Sequence, residues 1–287
     1  MIEYTHHTTF RDWSEFVSFV LNKPQAKNAT SHREDPWNGT NTWEEAINFL
    51  THGWPVALKQ LDLHKPSEET LNKIIAVADY EKIMNMSPMP GDCSIINIPA
   101  VIADQPDQYI NETAGPKIVK GSRLITMLIQ SNHNSQTPHT SYFKRGAMLY
   151  HIIERLETVG YSVRVIGIYA SKNTEKPKAL GDLHIIEIPF KEFDELLDPT
   201  KLACNLCASF MHRRFVFHVK EHQPSDTRKK FGYHSGGGYS FVYSGLQDKS
   251  LIKSIDPTDD ILWFNQPTKQ EDIPQRINER FKDTTEG

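Results

Sequence analysis

Two apolar runs separated by an amphipathic stretch and a glycine stop, all within residues 123–170, narrow the fold more than any other feature of this chain. Leu124-Ile125-Thr126-Met127-Leu128-Ile129 is nearly continuous apolar sequence, the pattern of a strand covered on both faces. Ala147, Leu149, Ile152, Ile153 and Leu156 then share one face of a helix over 145–158,. Gly160 stops that helix, and Val163, Val165, Ile166, Ile168 and Tyr169 form the next buried run. Strand, helix, glycine, strand predicts a right-handed crossover between parallel strands at 123–129 and 163–169. The hairpin-like link 172–181 leads to a third strand at 183–188, and 261–264 reads as a last one. The expected fold class is α/β: a three-layer, mostly parallel Rossmann-like sheet, preceded by an N-terminal helical region.

The flanking sequence fills in this frame. Phe10, Trp13, Phe16, Val17 and Val20 predict a helix within 1–22,. A second helix is capped by Thr40 or Thr42, carries Glu44 and Glu45 in its first turn, and ends at Gly53,. A third is expected over 68–79. Prolines interrupt extended segments at 93–103, which suggests an edge strand. Residues 223–247 read as turns, 271–282 as an amphipathic helix, and 215–219 fit strand or helix equally. The resulting division is a helical region over 1–90, an α/β core over 91–282 and a frayed tail over 283–287.

Composition excludes several function classes. With three cysteines in 287 residues there is no disulfide framework, which fits a reducing compartment. The N-terminus lacks the basic-then-apolar pattern of a signal peptide. No apolar run approaches the roughly 20 residues that span a bilayer, so a cytoplasmic protein without membrane contact is expected. A net charge of −4 gives no global field toward nucleic acid,. The chain contains no GxSxG, HExxH or kinase signature, which leans against an enzyme.

Three groups of residues are candidate sites. The loop Ser131, Asn132, His133, Asn134 and Ser135 follows the carboxyl end of the central strand, where open α/β sheets collect ligands. Trp37, Trp43 and Trp54 surround one helix and can offer an aromatic surface to a partner; the plainer reading is that they pin that helix to the sheet. Arg213 and Arg214, with Arg228, Lys229 and Lys230, lie among aromatics and suit a nucleic-acid backbone; solvated surface charge is the plainer reading. Cys204-Asn205-Leu206-Cys207 has zinc-knuckle spacing, but no second pair of ligands accompanies it in sequence, and buried core thiols are expected. Gly236-Gly237-Gly238 reads as a flexible hairpin tip rather than a phosphate loop.

Two resemblances add to this reading. Strand, Ser/Asn-rich loop, helix, Gly and strand resemble the opening of a von Willebrand factor type A domain, whose loop Asp-x-Ser-x-Ser holds a divalent metal. Here Gln130 stands in the aspartate place and Asn132 and Asn134 in the serine places. Such a site wants an anionic oxygen, so no bound metal and no cofactor are expected. The second resemblance is to an uncharacterised bacteriophage-encoded family. It is carried by Trp37-Asn38-Gly39-Thr40-Asn41-Thr42-Trp43-Glu44-Glu45-Ala46, Gly53-Trp54, Arg145-Gly146-Ala147, Leu156-Glu157-x-x-Gly160-Tyr161-x-Val163, and Arg213-Arg214 with Phe217 and Glu221. It implies a phage or prophage origin and no established activity. The leading expectation is a non-enzymatic module that binds a partner protein through the sheet's carboxyl edge. The alternatives are a nucleic-acid-binding accessory protein using 213–233 and an enzyme acting at the 130–140 loop.

Overall fold

The computed structural model describes residues 6–27, 29–75, 95–96, 109–110, 124–132, 137–158, 160–173, 182–233 and 261–264, with 273, 275 and 277. The chain opens with β1 (His6–Thr9), α1 (Trp13–Asn22), a 3-10 turn (Pro36–Asn38), α2 (Trp43–His52), α3 (Ala57–Leu63) and α4 (Glu68–Ile75). β2 (Ile95–Ile96) and β3 (Tyr109–Ile110) pair antiparallel in a small sheet of their own. Then come β4 (Leu124–Gln130), α5 (His139–Thr158), β5 (Ser162–Lys172), β6 (Leu183–Lys191) and α6 (Pro199–Cys207). A π-helical turn (Met211–Val216) continues into α7 (Phe217–Glu221), followed by α8 (Ser225–Phe231) and β7 (Ile261–Phe264).

The main sheet has five strands in the order β1-β6-β5-β4-β7. β4 lies parallel to β5 and to β7, and β1 parallel to β6, while β5 and β6 are antiparallel. The sheet is therefore mixed and mostly parallel, and the expected strand–helix–strand unit is present with β4 and β5 adjacent. β6 reverses because the link from Lys172 to Leu183 is too short for a crossover helix. Its ends are held by Asn173 N–H donating to the Asp182 carbonyl at 3.1 Å.

Successive strand residues face opposite sides of the sheet, and both sides are apolar. Met127, Ile129, Val163, Val165, Ile186 and Ile188 pack in one cluster with α1, α2, α3, α5 and α6. Leu128, Ile166, Ile168, Ala170, Leu183 and Ile185 form a second cluster that Ile261 and Trp263 join. α5 and α6 approach closely at Gly146, where a Cβ would stand 2.6 Å from the Cys207 sulfur.

Several sequence expectations change here. The helix expected within 1–22 starts only at Trp13, where Asp12 caps it by accepting from Glu15 N–H at 2.8 Å. Before it, His6–Thr9 pairs with β6, placing His6 opposite His184; β-branched threonines suit that edge. α5 begins at His139 rather than 145, because Pro138 initiates it and accepts from Ser141 N–H at 3.0 Å. Residues 215–219 are helical. The stretch read as turns contains α8, which Gly232 ends in the left-handed region at φ 69°. α2 is as expected, with Thr42 accepting from Glu45 N–H at 3.1 Å and Gly53 closing it. Residues 273, 275 and 277 are helical, with Ile273 and Ile277 buried. The glycine run 236–238 and the tail 283–287 lie outside the described residues, as do most of the segment 93–103 and residues 76–79 of the third helix. Among the described residues, no helix is long and apolar enough to cross a membrane.

Candidate functional site

The π-helical turn and α7 carry an unusual concentration of buried charge. π-helical turns are rare and cluster at functional sites. Every residue from Met211 to Glu221 is buried, including His212, Arg213, Arg214, His218, Lys220 and Glu221. Charged side chains are almost never fully buried unless they are paired.

Arg213, Arg214 and Glu221 find partners in the N-terminal segment that carries the Trp37-to-Ala46 motif. Arg214, with no exposed surface, donates from Nη2 to Thr40 O at 2.7 Å and from Nη1 to Ser31 O at 2.8 Å and Arg33 O at 3.3 Å. Its Nε donates to the Thr40 hydroxyl, which in turn donates to Thr42 O at 3.0 Å. Arg213 donates to Trp37 O at 2.6 Å and Thr137 O at 3.2 Å, with its guanidinium 4.2 Å from the centre of the Trp37 ring. Burial lowers the pKa of both arginines. Gly39 lets the segment lie this close: its φ is +88°, and a Cβ there would meet the Ser209 hydroxyl and stand 2.7 Å from Phe210 N.

Beside this tie lies a cluster of His32, His218, Glu221 and Ser31. Glu221 Oε1 accepts from Thr30 N–H at 2.7 Å and Ser31 N–H at 3.0 Å, and Oε2 accepts from the Ser31 hydroxyl. Ser31 Oγ also lies 2.8 Å from His32 Nδ1. The His32 ring stacks on Trp43 at 3.8 Å, and His218 lies 5.3 Å from His32 and 4.3 Å from His222 between ring centres. Burial, aided by Arg214, pushes His32 down to about 4; burial, aided by His222 and His32, pushes His218 down to about 3. Both are therefore neutral at neutral pH.

The carboxyl edge of β4 and β5 is a second polar locus. Ser131 N–H donates to Ile168 O at 3.0 Å, Asn132 Nδ2 to Ala170 O at 2.8 Å, and Gln130 Nε2 to Asn132 Oδ1 at 3.0 Å. Tyr169, fully buried on the same edge, stacks on His212 with ring centres 5.6 Å apart. Nearby, His184 bridges Tyr233 OH at 2.8 Å and the Thr8 hydroxyl at 3.0 Å. Burial pushes His184 down to about 3 and Lys220, set between the Phe217 and Tyr233 rings, to about 7.

The sequence-derived candidates separate in space. Ser131 and Asn132 sit at the carboxyl edge, tied to β5, while His133, Asn134 and Ser135 lie outside the described residues. Arg213 and Arg214, expected as part of a nucleic-acid surface, are buried, and their donors point at protein carbonyls. Lys229 is exposed, Arg228 is half-buried, and Lys230 pairs with Asp182 at 3.0 Å. The tryptophans do not form one platform. Trp54 is buried against Phe143 and Phe210, Trp43 covers His32 and His218, and Trp37 covers Arg213. Cys204 and Cys207 are buried free thiols in α6, both pushed up by burial, Cys204 to about 12. Sequence reasoning missed His32, Ser31, His218 and Lys220. The one local signal was the three-residue spacing of His218 and Glu221, legible only once that stretch is known to be helical.

Residues 3–282 match the model of the domain of unknown function DUF7192, and the chain belongs to that family. No curated protein and no solved structure matches it.

Proposed function

We propose that this chain is a non-enzymatic protein-interaction module of the cytoplasm, phage or prophage encoded, that holds a partner protein at the carboxyl edge of β4 and β5. The carrying observation is the rigidity of that edge. Gln130, Ser131 and Asn132 are buried there; Ser131 and Asn132 are bonded to β5 at 3.0 and 2.8 Å, and Gln130 is bonded to Asn132 at 3.0 Å, so the strand end is rigid. A fixed strand end adds little ordering cost when a partner binds beside it. The carboxyl edge of an α/β sheet is also where ligands gather. The resemblance of the 123–170 sequence to the opening of a von Willebrand factor type A domain supports the same reading by fold-level analogy, and the motif pieces from Trp37 to Glu221 support the phage origin. Against a nucleic-acid reading stands the use of Arg213 and Arg214 as internal ties, which leaves Arg228 and Lys229 without a partnering basic patch from 213–214.

The test is affinity capture from cells of the source organism with the tagged chain, before and after nuclease treatment. The expected result is one dominant protein, recovered equally with nuclease and lost when 133–135 are replaced by glycines. Recovery abolished by nuclease, or unchanged by the loop replacement, contradicts the proposal.

A further inference from the structure

His32, His218 and Glu221 each bring one potential ligand atom within 4.8 Å of the other two. Within this cluster His218 is fully buried, and neither of its ring nitrogens has a hydrogen-bond partner. Burying an imidazole in that state costs free energy that an apolar ring of similar size avoids. A cation shared with a carboxylate and a second imidazole satisfies its lone pair directly.

We propose that His32, His218 and Glu221 form a divalent transition-metal site, with Zn2+ as the ion their chemistry fits. Two imidazoles and a carboxylate are borderline N/O donors, which suit zinc better than Mg2+ or Ca2+. Zinc holds such donors at about 2.0–2.2 Å, so tetrahedral neighbours stand roughly 3.3 Å apart and the widest pair of the cluster closes by up to about 1.5 Å on loading,. His32 supplies the give and the entry path, since it is half-buried and lies outside any helix or strand. α7 holds His218 and Glu221 three residues apart on one face,.

The surroundings are those of an oriented ligand set. Ser31 Oγ donates to Glu221 Oε2 and lies 2.8 Å from His32 Nδ1. In this relay His32 Nδ1–H donates to Ser31, which commits the Nε2 lone pair to the ion. Two backbone N–H groups aim the Glu221 carboxylate at 2.7 and 3.0 Å, and Trp43 fixes the plane of the His32 ring. Three protein ligands leave a fourth position open, the pattern of sites where the metal takes a water or a substrate atom. The expectation of no metal rested on Gln130 and the lone Cys204–Cys207 pair, and neither belongs to this cluster. The site is independent of the partner-binding reading.

The experiment uses the full chain, stripped with a chelator, titrated with Co2+ as an optical probe and then with Zn2+ in competition. The expected result is about one equivalent of tetrahedral Co2+ without a thiolate charge-transfer band, displaced by Zn2+. Ser31→Ala should weaken binding roughly 10–100-fold and His32→Ala by at least about 100-fold. Thermal melts of both variants confirm that they fold, and His32→Ala is the safer of the pair because His32 is half-buried. Three results overturn the proposal: no saturable binding, one equivalent retained by both His32→Ala and His218→Asn, or several weak equivalents indifferent to His32→Ala.

Discussion

Arg214 donates from Nη2 to the backbone oxygen of Thr40 at 2.7 Å, although the two residues stand 174 positions apart. With Ser31 O and Arg33 O as further acceptors, one buried guanidinium holds the N-terminal segment against the helix at 211–221. Arg214→Ala leaves these acceptors unsatisfied and should cost about 3–5 kcal/mol in urea unfolding. Arg214→Lys should recover little of that loss, because an ammonium cannot reproduce the planar fork. A loss below about 1 kcal/mol for Arg214→Ala would show that the tie carries no stability.

Gly39 and Gly53 both have positive φ, at +88° and +91°, but only Gly39 is crowded. A Cβ on Gly53 meets nothing nearer than the Thr200 hydroxyl at 3.5 Å. Gly53→Ala should therefore cost only the backbone strain, about 1–3 kcal/mol. Gly39→Ala adds a collision with Ser209 and the Phe210 amide and should cost clearly more, measured by the same unfolding assay. Equal losses at the two sites would contradict the close contact.

His184 gives the protein an acid-sensitive core. Burial, with Lys220, His6 and His7 adding repulsion, depresses its folded pKa from 6.5 to about 3. The unfolded chain thus binds this proton first. Stability from neutral His184 is full above pH 6.5 and falls as pH drops toward 3, by about 1.4 kcal/mol per unit at the steepest. His184→Gln should flatten the fall of urea midpoint between pH 6 and 4 while lowering stability at pH 7. An unchanged pH slope would place the acid sensitivity elsewhere.

The parallel pair β4–β5 and the helix between them were legible because their signal is local: apolar runs of strand length, one apolar helical stripe, and a glycine at its end. α2 was legible through its cap residues Thr42 and Gly53 for the same reason. β1 was not, because His-His-Thr-Thr has no apolar alternation and becomes a strand only by pairing with β6. The antiparallel turn of β6 was equally hidden, since it depends on the length of a polar link. At the site, the arginine pair was visible as charge, but its burial follows from carbonyls at Ser31, Arg33, Trp37 and Thr40, far away in sequence. The His32–His218–Glu221 cluster joins segments nearly two hundred residues apart, and no periodicity connects them.

Burial of Arg213 and Arg214 also fixes an expectation for nucleic acid. Of the basic residues expected to meet nucleic acid, Arg228, Lys229 and Lys230 stay near solvent, and Lys230 is paired with Asp182. Oligonucleotide affinity should be weak near 150 mM salt, with a shallow salt slope that reflects few phosphate contacts. Fluorescence anisotropy across a salt series measures it. Tight binding at that salt, lost on Arg228→Ala with Lys229→Ala and Lys230→Ala, would replace the protein partner with nucleic acid.

The most direct test of the central claim is site-specific photo-crosslinking in cells of the source organism, with the reactive residue at position 134 and a control at the exposed Lys59. The account predicts a light-dependent conjugate to one dominant protein from position 134, resistant to nuclease, with little or none from position 59. Equal conjugates from both positions, a nuclease-sensitive conjugate, or none from position 134 would contradict a partner held at the carboxyl edge.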